Sequence, residues 1–220
     1  MPIDHKRKLI FVHIPKTGGT SVDMLLTHNT GKKRAGEVWD LWGTPKPEHL
    51  EVLGPKRPVD PSSGQRAIQL HHLSATHIKK LVEREVWNTY IKFSIVRNPW
   101  DRIVSYYEYG LQTGGRIGTE GKSFKQWFYE RDVIPSCTPY LLEDEDNLGM
   151  NKVIKFENLV QDFSELCKMA AIPFVPSDFP HYKKTVRRHY SEYYDNEMIS
   201  IVECAAASDI KLMQYKFEKI

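Results

Sequence analysis

The chain has 220 residues, of which 40% are hydrophobic and 27% charged, and its formal net charge is +3. This length allows one domain, residues 1–220, with a sizeable core, and the balance is that of a globular chain, not a disordered one. No basic block is long enough to suggest nucleic acid, while the slight positive charge permits an anionic ligand without requiring it.

The first informative stretch is Leu9–Ser21, LIFVHIPKTGGTS. An apolar β-type run breaks at Pro-Lys-Thr-Gly-Gly and passes into a helical pattern over Thr20–His28. The run and its flanks are too short for a signal peptide or a membrane anchor, so a cytoplasmic protein with no membrane span is expected. Glycines at such a junction let backbone amides approach a ligand, and the following helix directs its N–H groups to the same point. Lys16 adds a positive charge to what reads as a cradle for a phosphate-like anion. Because Lys16 precedes Gly18 and Gly19, the order differs from the GxxxxGK[ST] loop of ATP and GTP sites. Close packing of helix on strand is the bland alternative.

Residues Asn29–Arg66 read as an irregular Gly- and Pro-rich segment over one end of the sheet. Trp39 and Trp42, with Lys32–Arg34, make either an acceptor surface or ordinary packing there. Glu37, Asp40 and Glu48 have no spacing that supports a carboxylate base. Ala67–Leu70 reads as a short strand, with Ser74 capping a helix through about Glu85. Tyr90–Gly110, YIKFSIVRNPWDRIVSYYEYG, gives a β-branched and aromatic strand to Val96 and a helix over Pro99–Leu111. Asn98 is placed as N-cap and Pro99 at the first helical position. Arg97 at the strand's carboxyl end and Ser105 two turns into the helix can face the crevice where open α/β sheets bind ligands. A Gly-rich turn over Thr113–Gly121, a helix near Phe124–Arg131, a strand over Lys152–Phe156, a helix over Leu159–Ala171 and a last helix from about Asp195 complete the pattern. Strands alternating with helices predict an α/β fold with a central, mostly parallel sheet covered on both faces.

Cys137, Cys167 and Cys204 are odd in number and widely spaced, which reads as free thiols with neither a disulfide framework nor a zinc site. Among the histidines, His72 follows a strand end and titrates near neutral pH, which suits a general base. Its neighbour His71 shares that position in the chain, and a capping or packing role for either is the bland reading. His13 reads as a structural hydrogen-bonder, His77 as solvated or capping, and Glu157 as ordering the loop after its strand. Lys183, Lys184, Arg187 and Arg188 form a basic cluster, either a solvated face or a contributor of one or two phosphate ligands.

Taken together, HIPKTGGTS and IVRNPWDRIVSYY resemble the carbohydrate sulfotransferase superfamily, in particular the branch of heparan sulfate 2-O- and chondroitin sulfotransferases with their bacterial relatives. QLHHLSATHIKK, VIKFENL and the Tyr190–Tyr215 region are similar to further segments of that family. The resemblance implies a P-loop-like α/β/α domain that uses 3′-phosphoadenosine 5′-phosphosulfate (PAPS) and needs no metal. It implies Lys16, Thr17, Gly18, Gly19, Thr20 and Ser21 at the 5′-phosphosulfate, Arg97 and Ser105 at the 3′-phosphate, and Arg188 as a further cofactor ligand. It puts Lys16 in charge stabilisation and His72 at the catalytic histidine, with His71 standing where the family commonly has glycine. The implied acceptor is a hydroxyl of a glycan or a small metabolite. A small-molecule kinase and a noncatalytic PAPS-binding module are the competing readings.

Overall fold

The computed structural model describes residues 3–28, 49, 70–115, 117–131, 134–179 and 187–220. Four strands form one sheet in the order β1-β2-β3-β4: β1 (Ile3–Asp4), β2 (Leu9–Val12), β3 (Ile91–Val96) and β4 (Lys152–Lys155). The short β1 is antiparallel to β2. The rest of the sheet is parallel, with Leu9 opposite Ile91 and Phe93 opposite Lys152.

Strand period assigns the two faces. Leu9, Phe11, Phe93, Ile95 and Ile154 pack against Val22, Leu25 and Leu26 of α1 (Gly19–His28) and Phe163 and Leu166 of α7 (Leu159–Met169). Ile10, Val12 and Val96 point the other way, into a core with Trp100, Ile103 and Val104 of α4 (Pro99–Gln112) and Met198 and Val202 of α8 (Asn196–Ala205). Burial on both faces is what makes the middle strands near-continuous apolar runs. The polar intruders are satisfied: Ser94 Oγ donates to the Val12 carbonyl at 2.6 Å, and Lys92 Nζ to that of Trp87 at 2.8 Å. The layers are therefore helix, sheet, helix, as the alternating pattern predicts.

The remaining helices are α2 (Ala75–Leu81), α3 (Arg84–Thr89), α5 (Phe124–Tyr129), α6 (Thr138–Leu141) and α9 (Ala207–Met213). The helix expected over Ser74–Glu85 is in fact two, because Val82 is extended and Glu83 starts α3. Leu70–His72 is a 3-10 turn, and residues 67–69 of the expected strand lie outside the described residues. β4 ends at Lys155, and Phe156–Asn158 turns as 3-10. Cys137 and Cys167 are buried free thiols, whereas Cys204 is exposed. No described helix is long and apolar enough to cross a membrane.

Candidate functional site

The turn after β2 departs from ordinary backbone geometry where the sequence suggests a cradle. Lys16 has φ +65° and Gly18 φ +87°. The left-handed conformation is costly for a residue with a Cβ, so Lys16 must be held there by its surroundings. Thr17, fully buried, donates from Oγ1 to the Ile14 carbonyl at 2.8 Å and closes the turn from inside. The glycines are sterically required. A Cβ on Gly18 would stand 2.7 Å from the Phe156 ring, and one on Gly19 would overlap the His13 imidazole. Helix α1 begins at Gly19, so its N-terminal end, where amides lack intrahelical acceptors, adjoins this turn. Of these amides, that of Ser21 donates to the Gly18 carbonyl at 3.1 Å. Thr20 is half-buried there and Ser21 buried. The Lys16 ammonium lies 4.0 Å from the centre of the Tyr109 ring, within cation–π range.

The second segment meets the first directly. Asn98 caps α4, its Oδ1 accepting from the Trp100 and Asp101 amides at 3.1 and 3.3 Å. That cap places Arg97 at the mouth of the turn. Arg97 Nη1 donates to the Lys16 carbonyl at 3.2 Å, Nε donates to Asp101 Oδ2 at 2.6 Å, and the guanidinium lies 4.0 Å over the Phe156 ring. Burial pulls the Arg97 pKa below its ordinary value, and Asp101, by charge and hydrogen bond, opposes that shift. Ser105, one turn beyond Asp101, is also buried. Arg102 is fully buried and donates from Nε to the Pro15 carbonyl at 3.0 Å.

Of the basic cluster, Arg187 pairs with the other oxygen of Asp101. Arg188 is exposed, its guanidinium 4.2 Å over the Tyr193 ring. Lys183 and Lys184 lie outside the described residues, as do Lys32–Arg34, Trp39, Trp42, Glu37, Asp40 and Glu48. Arg187 was one of that cluster, but Asp101 did not stand out in the sequence, although an arginine followed four residues later by an acid on a helix start is a readable ion-pair signal.

His72 Nδ1 lies 2.9 Å from the His13 carbonyl oxygen. A carbonyl only accepts, so Nδ1 carries the proton and the neutral ring has its lone pair on Nε2. The His71 side chain lies outside the described residues. The His13 ring stacks on Phe11 at 5.0 Å, meets His72 edge-on at 4.8 Å and sits 3.4 Å from Asp23. Burial pushes the Asp23 carboxyl up to about 8, a neutralising effect that outweighs any ion-pair reading of that distance. His77 pairs with Ser74 Oγ at 2.7 Å, so this serine does not cap α2 through its side chain. Glu157 accepts from the Asn98 amide at 2.7 Å and the Tyr215 hydroxyl at 3.1 Å. It thereby orders the loop after β4, and it borders a pocket of about 270 Å³ with Asn98, Asp101, Lys155 and Tyr190. Among the described residues no group of three or more His, Cys, Asp or Glu side chains is placed to hold a metal ion.

Comparison with known proteins gives the fold and the family. A solved sulfotransferase from Alicyclobacillus acidocaldarius superposes with a TM-score of 0.50 at 17% identity, covering 96% of each chain. An uncharacterised protein of Archaeoglobus fulgidus is 27% identical over 108 residues, which are 46% of this chain and 84% of that protein. The profile of the sulfotransferase family matches residues 1–215. The chain therefore belongs to the sulfotransferase family.

Proposed function

We propose that the chain is a PAPS-dependent O-sulfotransferase of the cytoplasm, one domain over residues 1–220, acting on a hydroxyl of a carbohydrate or glycan. One observation carries this reading above the others. Arg97 reaches the Lys16 carbonyl, so two anion-binding segments 81 residues apart in the chain share one crevice at the carboxyl ends of β2 and β3. The residues present fit a doubly phosphorylated nucleotide. A glycine turn without room for a Cβ, a helix start and a lysine stand on one side, with a buried arginine and serine on the other. The motif resemblance supports the glycan branch, and three free thiols accord with a reducing compartment.

PAPS would supply an activated sulfonate on a phosphate leaving group. The amides of Thr17, Gly18 and Gly19 and the hydroxyls of Thr20 and Ser21 hold the 5′-phosphate, where the helix start favours negative charge. Lys16 neutralises the charge that develops on the departing oxygen. Arg97 and Ser105 hold the 3′-phosphate, with Arg188 at the exposed rim of the same region. His72 Nε2 accepts the proton of the acceptor hydroxyl as that oxygen bonds to sulfur, and the His13 carbonyl fixes the tautomer that makes this lone pair available.

Calorimetry with adenosine 3′,5′-bisphosphate and with ATP–magnesium tests the ligand class, and tighter binding of ATP–magnesium would sink the proposal. Transfer of labelled sulfonate to a panel of sugars and metabolites then tests the chemistry. His72→Ala is expected to lower kcat by about 10²–10⁴-fold, the range for a lost general base, while leaving bisphosphate affinity unchanged. Near wild-type turnover in His72→Ala would remove the histidine from the mechanism.

A further inference from the structure

Arg102 is an arginine that stability alone does not explain. Its side chain has no exposure, and both terminal nitrogens, Nη1 and Nη2, are buried without a hydrogen-bond acceptor among the described residues. Unpaired buried donors on a charged group weaken a fold, and buried arginines that serve a core are ordinarily paired. Asp209 is an acid in its surroundings, but its oxygens accept from Ser136 Oγ, the Cys137 and Thr138 amides and Thr138 Oγ1. Among the described residues, the one side-chain hydrogen bond that Arg102 makes goes to the Pro15 carbonyl, from Nε at 3.0 Å.

That bond has a partner. Arg97 holds the next carbonyl, that of Lys16. Two arginines, one just before α4 and one in its first turns, therefore tie back two successive carbonyls of the turn. In a trans peptide the C=O and N–H point in opposite directions, so fixing these carbonyls toward α4 turns the Lys16 and Thr17 amides away from it. Between the two peptides lies Lys16 at φ +65°, a conformation that needs an external hold. Successive amides presented in this way form an anion-binding nest.

We infer that Arg102 is a positioning residue: through the Pro15 carbonyl it fixes the left-handed Lys16 and aims the Lys16 and Thr17 amides at the ligand anion. The inference rests on the reading of this turn as the phosphosulfate cradle. It assigns Arg102 no contact with the reacting atoms.

The test is Arg102→Met, an unbranched neutral side chain that replaces the aliphatic stem and lacks the guanidinium, with Arg102→Lys beside it. Thermal unfolding, backbone NMR of the ligand-free protein and calorimetry with adenosine 3′,5′-bisphosphate are measured on each. Arg102→Met is expected to unfold at or above the wild-type midpoint. Its Lys16 and Thr17 amide order parameters should fall from about 0.85 to below about 0.6, and its bisphosphate affinity should drop at least about tenfold, a loss of ~1.4 kcal/mol. Arg102→Lys keeps a donor and should recover part of both. Unchanged order at Lys16 and Thr17 in folded Arg102→Met would overturn the inference. So would a Met variant that cannot fold, because the guanidinium would then serve the core. The NMR readout needs no nucleotide. Failure of the wild type to bind the bisphosphate would sink the cradle reading, while the hold on Lys16 is still decided by the order parameters.

Discussion

Replacing Gly19 with alanine probes the packing beneath the turn. The added Cβ would overlap Nε2 and Cδ2 of His13 and stand 3.0 Å from Phe11 Cζ. The imidazole has little freedom to retreat, because it lies nearly parallel to Phe11 at an interplanar angle of 13° and edge-on to His72. Phe11 is itself stacked on Phe93 at 4.6 Å. Overpacking a closed site of this kind costs about 1–3 kcal/mol. At roughly 2–4 °C per kcal/mol for a chain of this size, the midpoint should fall by about 2–12 °C. Circular-dichroism melts of wild type, Gly19→Ala, His13→Ala and the double variant give a full cycle. Removing the ring makes room for the methyl, so the double variant should be more stable than the sum of the single changes predicts, with a coupling of about 0.5–3 kcal/mol. Strict additivity, or a Gly19→Ala midpoint within about 1 °C of wild type, would refute the steric argument.

Asp23 gives a pH dependence with a definite sign. Its folded pKa of about 8 stands above the ordinary value of 3.8, so the folded state holds this proton more tightly than the unfolded state does. Its contribution to stability is therefore full below about pH 4, is lost as pH rises toward 8, and is flat beyond. Urea unfolding across that range should show a steeper decline for wild type than for Asp23→Asn, and equal slopes would remove Asp23 as the cause. Arg97→Ala and Ser105→Ala should each weaken adenosine 3′,5′-bisphosphate, the arginine by roughly 10- to 150-fold as for a lost hydrogen bond to a charged group, the serine by less. Calorimetry decides this, and unchanged affinity in Arg97→Ala would contradict its assignment to the 3′-phosphate.

Sequence patterning was most legible where local chemistry alone sets the structure. Asn98-Pro99 starts α4 because the amide cap and the fixed proline φ act within one turn. β3 is mostly apolar because it is buried on both faces, with only Lys92 and Ser94 interrupting the run. β1 escaped notice because two residues, Ile3 and Asp4, are too few for any period. The break at Val82 was hidden because Ser74 and the following residues suit one continuous helix, and only the extended Val82 backbone separates α2 from α3. At the candidate site the glycines and lysine announced themselves through their order. The choice between Arg187 and Arg188 did not, since two adjacent letters carry no direction, and the fold sends one to Asp101 and the other to Tyr193. Arg102 was equally opaque: as one arginine among several, nothing in its spacing announces complete burial.

The placement of the cysteines makes the chain convenient for spectroscopy. Burial raises the Cys137 thiol to about 12 and that of Cys167 to about 11, which keeps both protonated and sheltered at neutral pH. Cys204, exposed on α8, is left as the single point for maleimide chemistry. One dye per molecule can thus be attached to the unaltered sequence, on a helix packed behind α4, to follow nucleotide binding by fluorescence.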